Sequence, residues 1–128
     1  MRNSVGVMII NRNTNDILLL KRSKISTFSG YWTFLSGGIN KGESPLDALK
    51  REIIEEIVVN PNKISFKFFK TYNDTNSIYN VFVGEVDNDF KCLLNDENEE
   101  YGWFNINNLP TPLFPNLISK LNDIFREK

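Results

Sequence analysis

The stretch Gly37 to Val59 reads GGINKGESPLDALKREIIEEIVV, and its reading decides the fold. Two glycines stand ahead of a lone glutamate, Glu43, and seven residues separate Glu43 from Arg51-Glu52. Ser44 is a good helix N-cap, Pro45 suits the first helical position, and Asp47 falls where a capping-box acid would lie. The pattern predicts a helix from Pro45 to about Ile57 or Val59, because Asn60-Pro61 ends it. Leu46, Leu49, Ile53 and Ile57 form one apolar stripe, with Ile54 and Val58 to one side. Glu52, Glu55 and Glu56 lie at i, i+3 and i+4, so they share a face and can converge on one point. They are expected mostly opposite the stripe, around Ala48, whose small side chain leaves room beside them. Such a concentration of negative charge is unfavourable unless a cation binds, and a hard metal ion is the expected one. A Glu-rich helix face can instead be merely solvated, with Arg51 paired to Glu55 at i+4. That reading leaves the glycine turn and Glu43 without a purpose, since glycines let a backbone approach a ligand closely.

Working outward, Ser4 to Asn11 is a buried-strand candidate, apolar on both faces at its centre. Asp16 to Arg22 reads as a second strand, so the two form a hairpin. Tyr31 to Ser36 is a short aromatic strand running into Gly37-Gly38. Beyond the helix, Ile64 to Tyr72 and Ser77 to Val86 are two more strands, joined through Asn73-Asp74-Thr75-Asn76. Asp87 to Glu100 is polar and reads as a mobile loop, and Tyr101 to Ile106 as another strand. A C-terminal helix covers Asn116 to Arg126, with Leu117, Leu121, Ile124 and Phe125 on its apolar face. The predicted class is α/β (α+β): a mixed sheet with a helix on each side.

At 128 residues the chain is expected to be a single domain, 1–128. Hydrophobic residues make up 41% and charged residues 24%, with a net charge of -1, so no bulk attraction to nucleic acid or an anionic membrane is expected. There is no histidine, which excludes His-activated nucleophiles and His-rich zinc sites. The single cysteine, Cys92, forms no internal disulfide and fits a reducing compartment. Val5 to Ile10 is too short to span a membrane, and a cytoplasmic location is expected.

The order Gly37, five residues, Glu43, seven residues, Arg51-Glu52-Ile53, one residue, Glu55-Glu56 resembles the Nudix box. That motif marks a family of Mg²⁺-dependent pyrophosphohydrolases acting on nucleoside diphosphates linked to another group. The box covers 23 of the 128 residues. The rest of the chain is similar in plan: LLLKR in the second strand, an aromatic strand into GG, and an acid-rich loop before Trp103. The resemblance implies an α/β/α sandwich. It implies Mg²⁺, with Mn²⁺ as the alternative, on Glu52, Glu55 and Glu56. Glu43 would assist through a metal-bound water or by holding Arg51, and Arg51 would orient the carboxylates. Water would attack one phosphorus in line, and a glutamate not fully used by the metal would take its proton; Glu55 is the first choice. Gly37 and Gly38 would shape the loop leading into the metal site. Arg22 matches a phosphate-binding position, although a strand-end cation can be mere surface. Glu99 and Glu100 match acids ahead of the Trp that bind metal, act as base or read the nucleobase; a solvated acidic loop is the other reading. Tyr31, Trp32 and Phe34 offer base-stacking candidates, but aromatics in such strands are more often core.

Two positions depart from the box. Val58 stands where it usually has glycine, so the helix is expected to continue to Asn60 instead of turning through a left-handed residue. Ser36 stands where a proline commonly precedes the glycines; it either loosens the loop or gives it a hydroxyl. The implied substrates are nucleoside triphosphates, nucleotide sugars or ADP-ribose, dinucleoside polyphosphates and capped RNA ends. The small size favours a small free nucleotide, and without an evident basic patch nucleic acid is not the expected partner. Monomer and homodimer both stay open. The competing class is a nucleotide-binding or regulatory module without activity.

Overall fold

The computed structural model describes residues 2–127. In chain order the elements are β1 (Arg2–Asn11), β2 (Ile17–Arg22), β3 (Trp32–Thr33), β4 (Leu35–Gly38), α1 (Pro45–Ile57), β5 (Ser65–Asp74), β6 (Ser77–Val86), β7 (Asn98–Phe104) and α2 (Leu117–Glu127). A 3-10 turn at Pro61–Lys63 joins α1 to β5. The sheet runs β3-β2-β1-β6-β5, with β4 also on β1 and β7 also on β2. β1 and β6 are parallel and the other pairs antiparallel, so the sheet is mixed, as expected. Among the described residues, no helix is long and apolar enough to cross a membrane.

β1 is central because it can be buried on both faces. Val5, Val7 and Ile9 pack with Leu49, Ile53 and Ile57 of α1. Met8 and Ile10, pointing the other way by strand alternation, pack with Leu117, Leu121 and Ile124 of α2. Each fully buried aliphatic side chain contributes about 1.5–3 kcal/mol, so the two apolar stripes hold a helix on each side of the sheet.

The aromatic segment is broken into two strands. Trp32–Thr33 pairs with Lys21 and Leu20 of β2, while Leu35–Gly38 pairs with Val7 to Ser4 of β1. The chain changes partner at Phe34, which is buried along with Trp32. The step places Gly37 opposite Val5 and Gly38 opposite Ser4, at the edge of the α1 side.

Two expectations need correction. The polar loop is shorter than Asp87 to Glu100: β7 begins at Asn98, where it continues the pairing with β2. Nor is the loop loose. Leu93 N–H donates to Ile57 O (3.0 Å), Asn95 Nδ2 to Glu55 O (3.2 Å) and Trp103 Nε1 to Phe90 O (3.2 Å).

The second correction concerns Val58. The helix opens as expected, with the Ser44 hydroxyl accepting the Asp47 N–H at 3.1 Å. It then stops at Ile57, and Val58 takes the left-handed conformation (φ 54°, ψ 50°) instead of extending the helix to Asn60. Leu93 claims the Ile57 carbonyl from outside, and Pro61 keeps Asn60 extended, so tertiary contacts outweigh the reluctance of a β-branched residue. Holding a non-glycine residue there costs roughly 1–2 kcal/mol. Val58 is 58% exposed and gives up little packing on truncation. Val58→Gly is therefore expected to stabilise the fold by about 1 kcal/mol, raising the thermal midpoint by roughly 3–5 °C. A lower midpoint in a melting experiment would show that the turn carries no strain.

Candidate active site

The acids of α1 divide between two environments. Ala48, Glu52 and Glu56 form one i, i+4 row; Ala48 is fully buried in the α1 core, Glu52 is 8% exposed and Glu56 3%. The expectation that the carboxylates lie opposite the apolar stripe fails for these two, which sit along its border against the sheet edge. Glu55 does point outward, its side chain 53% exposed. Glu52 fits only because residue 37 has no side chain. A Cβ on Gly37 would stand 2.2 Å from Glu52 Cδ and 2.5 Å from Oε1. At Gly38 a Cβ would meet nothing within 4 Å.

Arg51 ties the glycine strand, the loop and the helix together. Its Nε and Nη2 donate to the two oxygens of Glu43 at 2.8 and 2.9 Å. Nη1 donates to Glu52 Oε1 (2.9 Å) and Glu55 Oε2 (3.3 Å), and Nη2 also to Gly38 O (2.9 Å). Only a planar guanidinium serves so many acceptors at fixed angles. Glu43 also accepts the Asn40 N–H at 2.8 Å. Of the two roles open to Glu43, holding Arg51 is the one its contacts display. The Arg51 hydrogen bond, helped by the Asn40 N–H, keeps the Glu43 carboxyl below the usual range. Glu43 in turn raises the pKa of Arg51.

Glu56 is short of partners. Its Oε1 accepts from the buried Asn98 Nδ2 at 3.1 Å, while Oε2 is sealed from water and meets no donor among the described residues, the carboxyl of Glu52 being its acidic neighbour. Burial pushes its pKa up to about 9; Glu52 and the charge of Glu97 add to this, and Asn98 opposes it. A buried carboxylate with an unsatisfied oxygen is costly, and a hard cation would remove both faults. No cage of three acidic, His or Cys side chains is preformed among the described residues. Arg51 instead engages Glu52 Oε1 and Glu55 Oε2. The donor set still fits a hard cation: Glu52 and Glu56 from the helix and Glu97 from the loop, all oxygen ligands. Glu55 joins only by turning away from Arg51.

A cavity of about 740 Å³ opens beside these acids. Gly37, Gly38, Glu52 and Arg22, all expected at the site, line it together with Glu97. Arg22 donates through Nε to Thr27 O and through Nη2 to the Thr27 hydroxyl (3.3 Å), and its guanidinium lies 6.0 Å from the Phe114 ring centre. Glu99 and Glu100 do not line the cavity; they lie in β7, 3.7 and 3.9 Å from Lys21 Nζ. A bulge between Lys21 and Arg22 sets Asn98, not Glu99, opposite Arg22. The acidic run ahead of Trp103 points to this segment, but the bulge that decides which of its residues face Arg22 and the cavity leaves no mark in the sequence. The Ser36 hydroxyl does find a use, 2.7 Å from the Tyr79 hydroxyl. Burial pushes the Tyr79 phenol up to about 12. The loop after β2 is latched to the same acidic segment: Ser23 N–H and the Ser26 hydroxyl both donate to Glu97 O, at 2.9 and 2.8 Å.

Known proteins share this plan. A family model described as the NUDIX domain matches residues 1–123. An RNA pyrophosphohydrolase of Helicobacter pylori is 44% identical over 52 residues, covering 41% of this chain and 32% of the relative. A protein named NAD-capped RNA hydrolase NudC, of Chromobacterium violaceum, is 27% identical over 109 residues, covering 85% of this chain and 40% of the relative. The matches thus span well under half the length of either relative. A MutT NUDIX hydrolase of Burkholderia pseudomallei superposes with a TM-score of 0.73 at 25% identity, covering 96% of this chain and 97% of that one.

Proposed function

The chain belongs to the NUDIX domain family, whose model matches residues 1–123, and from that premise we propose that it hydrolyses a pyrophosphate bond in a small nucleotide. The substrate class is a nucleoside diphosphate linked to another group, and the reaction is attack of water at phosphorus. The observation that carries this reading is the buried Glu52–Glu56 pair, with its unsatisfied Glu56 Oε2, beside a cavity that also presents Arg22.

Each residue then has a task. Glu52 and Glu56 hold Mg²⁺ or Mn²⁺, with Glu97 and Glu55 completing the set. The cation supplies neutralisation of the phosphate oxygens and acidifies water. Arg51, held by Glu43, keeps Glu52 and Glu55 aimed. Arg22 binds a phosphate oxygen by charge-assisted hydrogen bonds. Glu97 lines the cavity while Glu55 faces outward on Arg51, and whichever of the two the cation leaves free takes the proton of the attacking water.

The test is release of phosphate or pyrophosphate with Mg²⁺ across nucleoside triphosphates, nucleotide sugars, ADP-ribose, dinucleoside polyphosphates, and triphosphate- and NAD-capped RNA. Mg²⁺-dependent turnover of at least one compound is expected. Tight binding without any turnover would instead make the domain a nucleotide-binding module.

A further inference from the structure

The cavity extends past the acids, and its far end is basic. Gly38 pairs with Ser4 of β1; Ser4 pairs on its other side with Tyr79, and Arg2 with Ser77. Arg2, Ser4, Ser77 and Tyr79 all line the cavity. From Ser4 to Arg2 the extended chain advances roughly 7 Å, so this end lies beyond the glycines. From the opposite wall α2 contributes Lys120, half-buried, its Nζ 5.1 Å from the Tyr72 ring centre and 5.5 Å from that of Tyr79. Lys120, Ser77 and Tyr79 also line an adjoining cavity of about 320 Å³, together with Asp74, which pairs with Ser77 but forms no ion pair with Lys120 or Arg2 among the described residues.

Neither cation is neutralised. The ion pairs among the described residues use Arg12, Lys21, Arg51 and Arg126, and neither Arg2 nor Lys120. Asp123, the carboxylate that acts on Lys120, accepts the Tyr72 hydroxyl at 2.8 Å and pairs with Arg126 at 3.2 Å. Burial lowers the pKa of Lys120, with Asp123 only partly opposing. Two unpaired cations among hydroxyls in a concave wall attract an anion. The scissile pyrophosphate is already provided for by the acidic end and Arg22. A substrate with no further charge would leave Arg2 and Lys120 unmatched.

We propose that the Arg2–Lys120 end of the cavity binds a phosphate outside the scissile pyrophosphate, so that the preferred substrate carries at least three phosphates. This rests on the pyrophosphohydrolase reading above. The extra phosphate has two sources of the same chemistry: the end of a longer phosphate chain, or an ester on the far hydroxyl of the nucleoside, as at an RNA 5′ end.

The experiment compares a nucleoside diphosphate, the triphosphate, and the triphosphate bearing a 3′-phosphate. Parent, Lys120→Met and Arg2→Gln proteins are assayed for Mg²⁺-dependent hydrolysis and, without Mg²⁺, for binding by calorimetry. One added phosphate is expected to lower KM and Kd of the parent by about tenfold, the effect of one charge-assisted contact, and each variant to lose most of that gain. A gain at the triphosphate identifies the chain end, and one at the 3′-phosphate identifies the ester. Equal affinity of the parent for all three compounds, or an undiminished gain in both variants, overturns the proposal. Phosphate-dependent binding with no hydrolysis of any compound would support this subsite while defeating the catalytic reading.

Discussion

Glu56→Gln is expected to lower kcat by about 10³-fold while leaving the fold at least as stable as the parent. On the proposed reading Glu56 is one of two buried ligands of a hard cation, and the loss follows from its removal. Cation stabilisation of a phosphoryl transition state is worth several kcal/mol, and each 1.36 kcal/mol is tenfold in rate. The preserved stability follows from the unliganded site. Glu56 is 3% exposed, carries an oxygen without a partner and is opposed by the carboxyl of Glu52. Glutamine keeps the shape, can still accept the Asn98 N–H through its amide oxygen, and is uncharged like the acid that a pKa of about 9 leaves protonated at neutral pH. Three measurements check this: kcat, the thermal midpoint, and Mn²⁺ affinity, which should weaken at least tenfold. Turnover within a few-fold of the parent would remove Glu56 from the cation site. Glu55→Gln should do less, since Glu55 is exposed and its bond to Arg51 is replaceable.

Gly37→Ala is expected to cost about 10²-fold in kcat, because it displaces Glu52 without altering any charge. The added methyl would stand 2.2 Å from the carboxylate carbon. Backbone lies on one side and a packed helix on the other, so the side chain must swing off its position. A displacement near 1 Å at a reacting centre costs on the order of 10²-fold. Gly38→Ala is the control for the backbone, because nothing lies within 4 Å of its Cβ position. It should keep Mn²⁺ affinity at the parent value, while Gly37→Ala loses it. Equal affinity in the two variants would mean that Glu52 does not hold the cation.

Much of this arrangement is legible in the sequence, and the limits have physical causes. The Leu49, Ile53 and Ile57 stripe and the Ser44-Pro45 start depend on neighbours within a few residues, so they read directly. The two-faced burial of β1 was visible as an uninterrupted apolar run. In the sequence Gly37 reads as flexible, but its purpose is space for a side chain fifteen positions on, which needs three dimensions. Val58 misled because local preference forbids what a distant N–H from Leu93 and the following Pro61 impose. Which residue of the acidic run ahead of Trp103 stands opposite Arg22 depends on a strand bulge that shifts register by one residue and carries no sequence mark here. Arg2 and Lys120 stand at opposite ends of the chain, and only the closing of the sheet and α2 makes them neighbours of one cavity.

The parallel pairing of β1 with β6 has a consequence for how the molecule forms. Every partner pair in that ladder, from Arg2↔Ser77 to Asn11↔Val86, is separated by 75 residues. Strands so remote meet only after a long loop has closed, which slows folding relative to proteins built on local contacts. During synthesis β1 must therefore wait, unpaired on that edge, until Val86 has left the ribosome. It is the segment through which a nascent or destabilised chain is most exposed to aggregation. β4 can cover the other edge early, so Gly37 is set against Val5 well before the cavity wall from β6 and α2 exists. The acidic helix and its glycine cradle can thus assemble first, and the basic end is completed last.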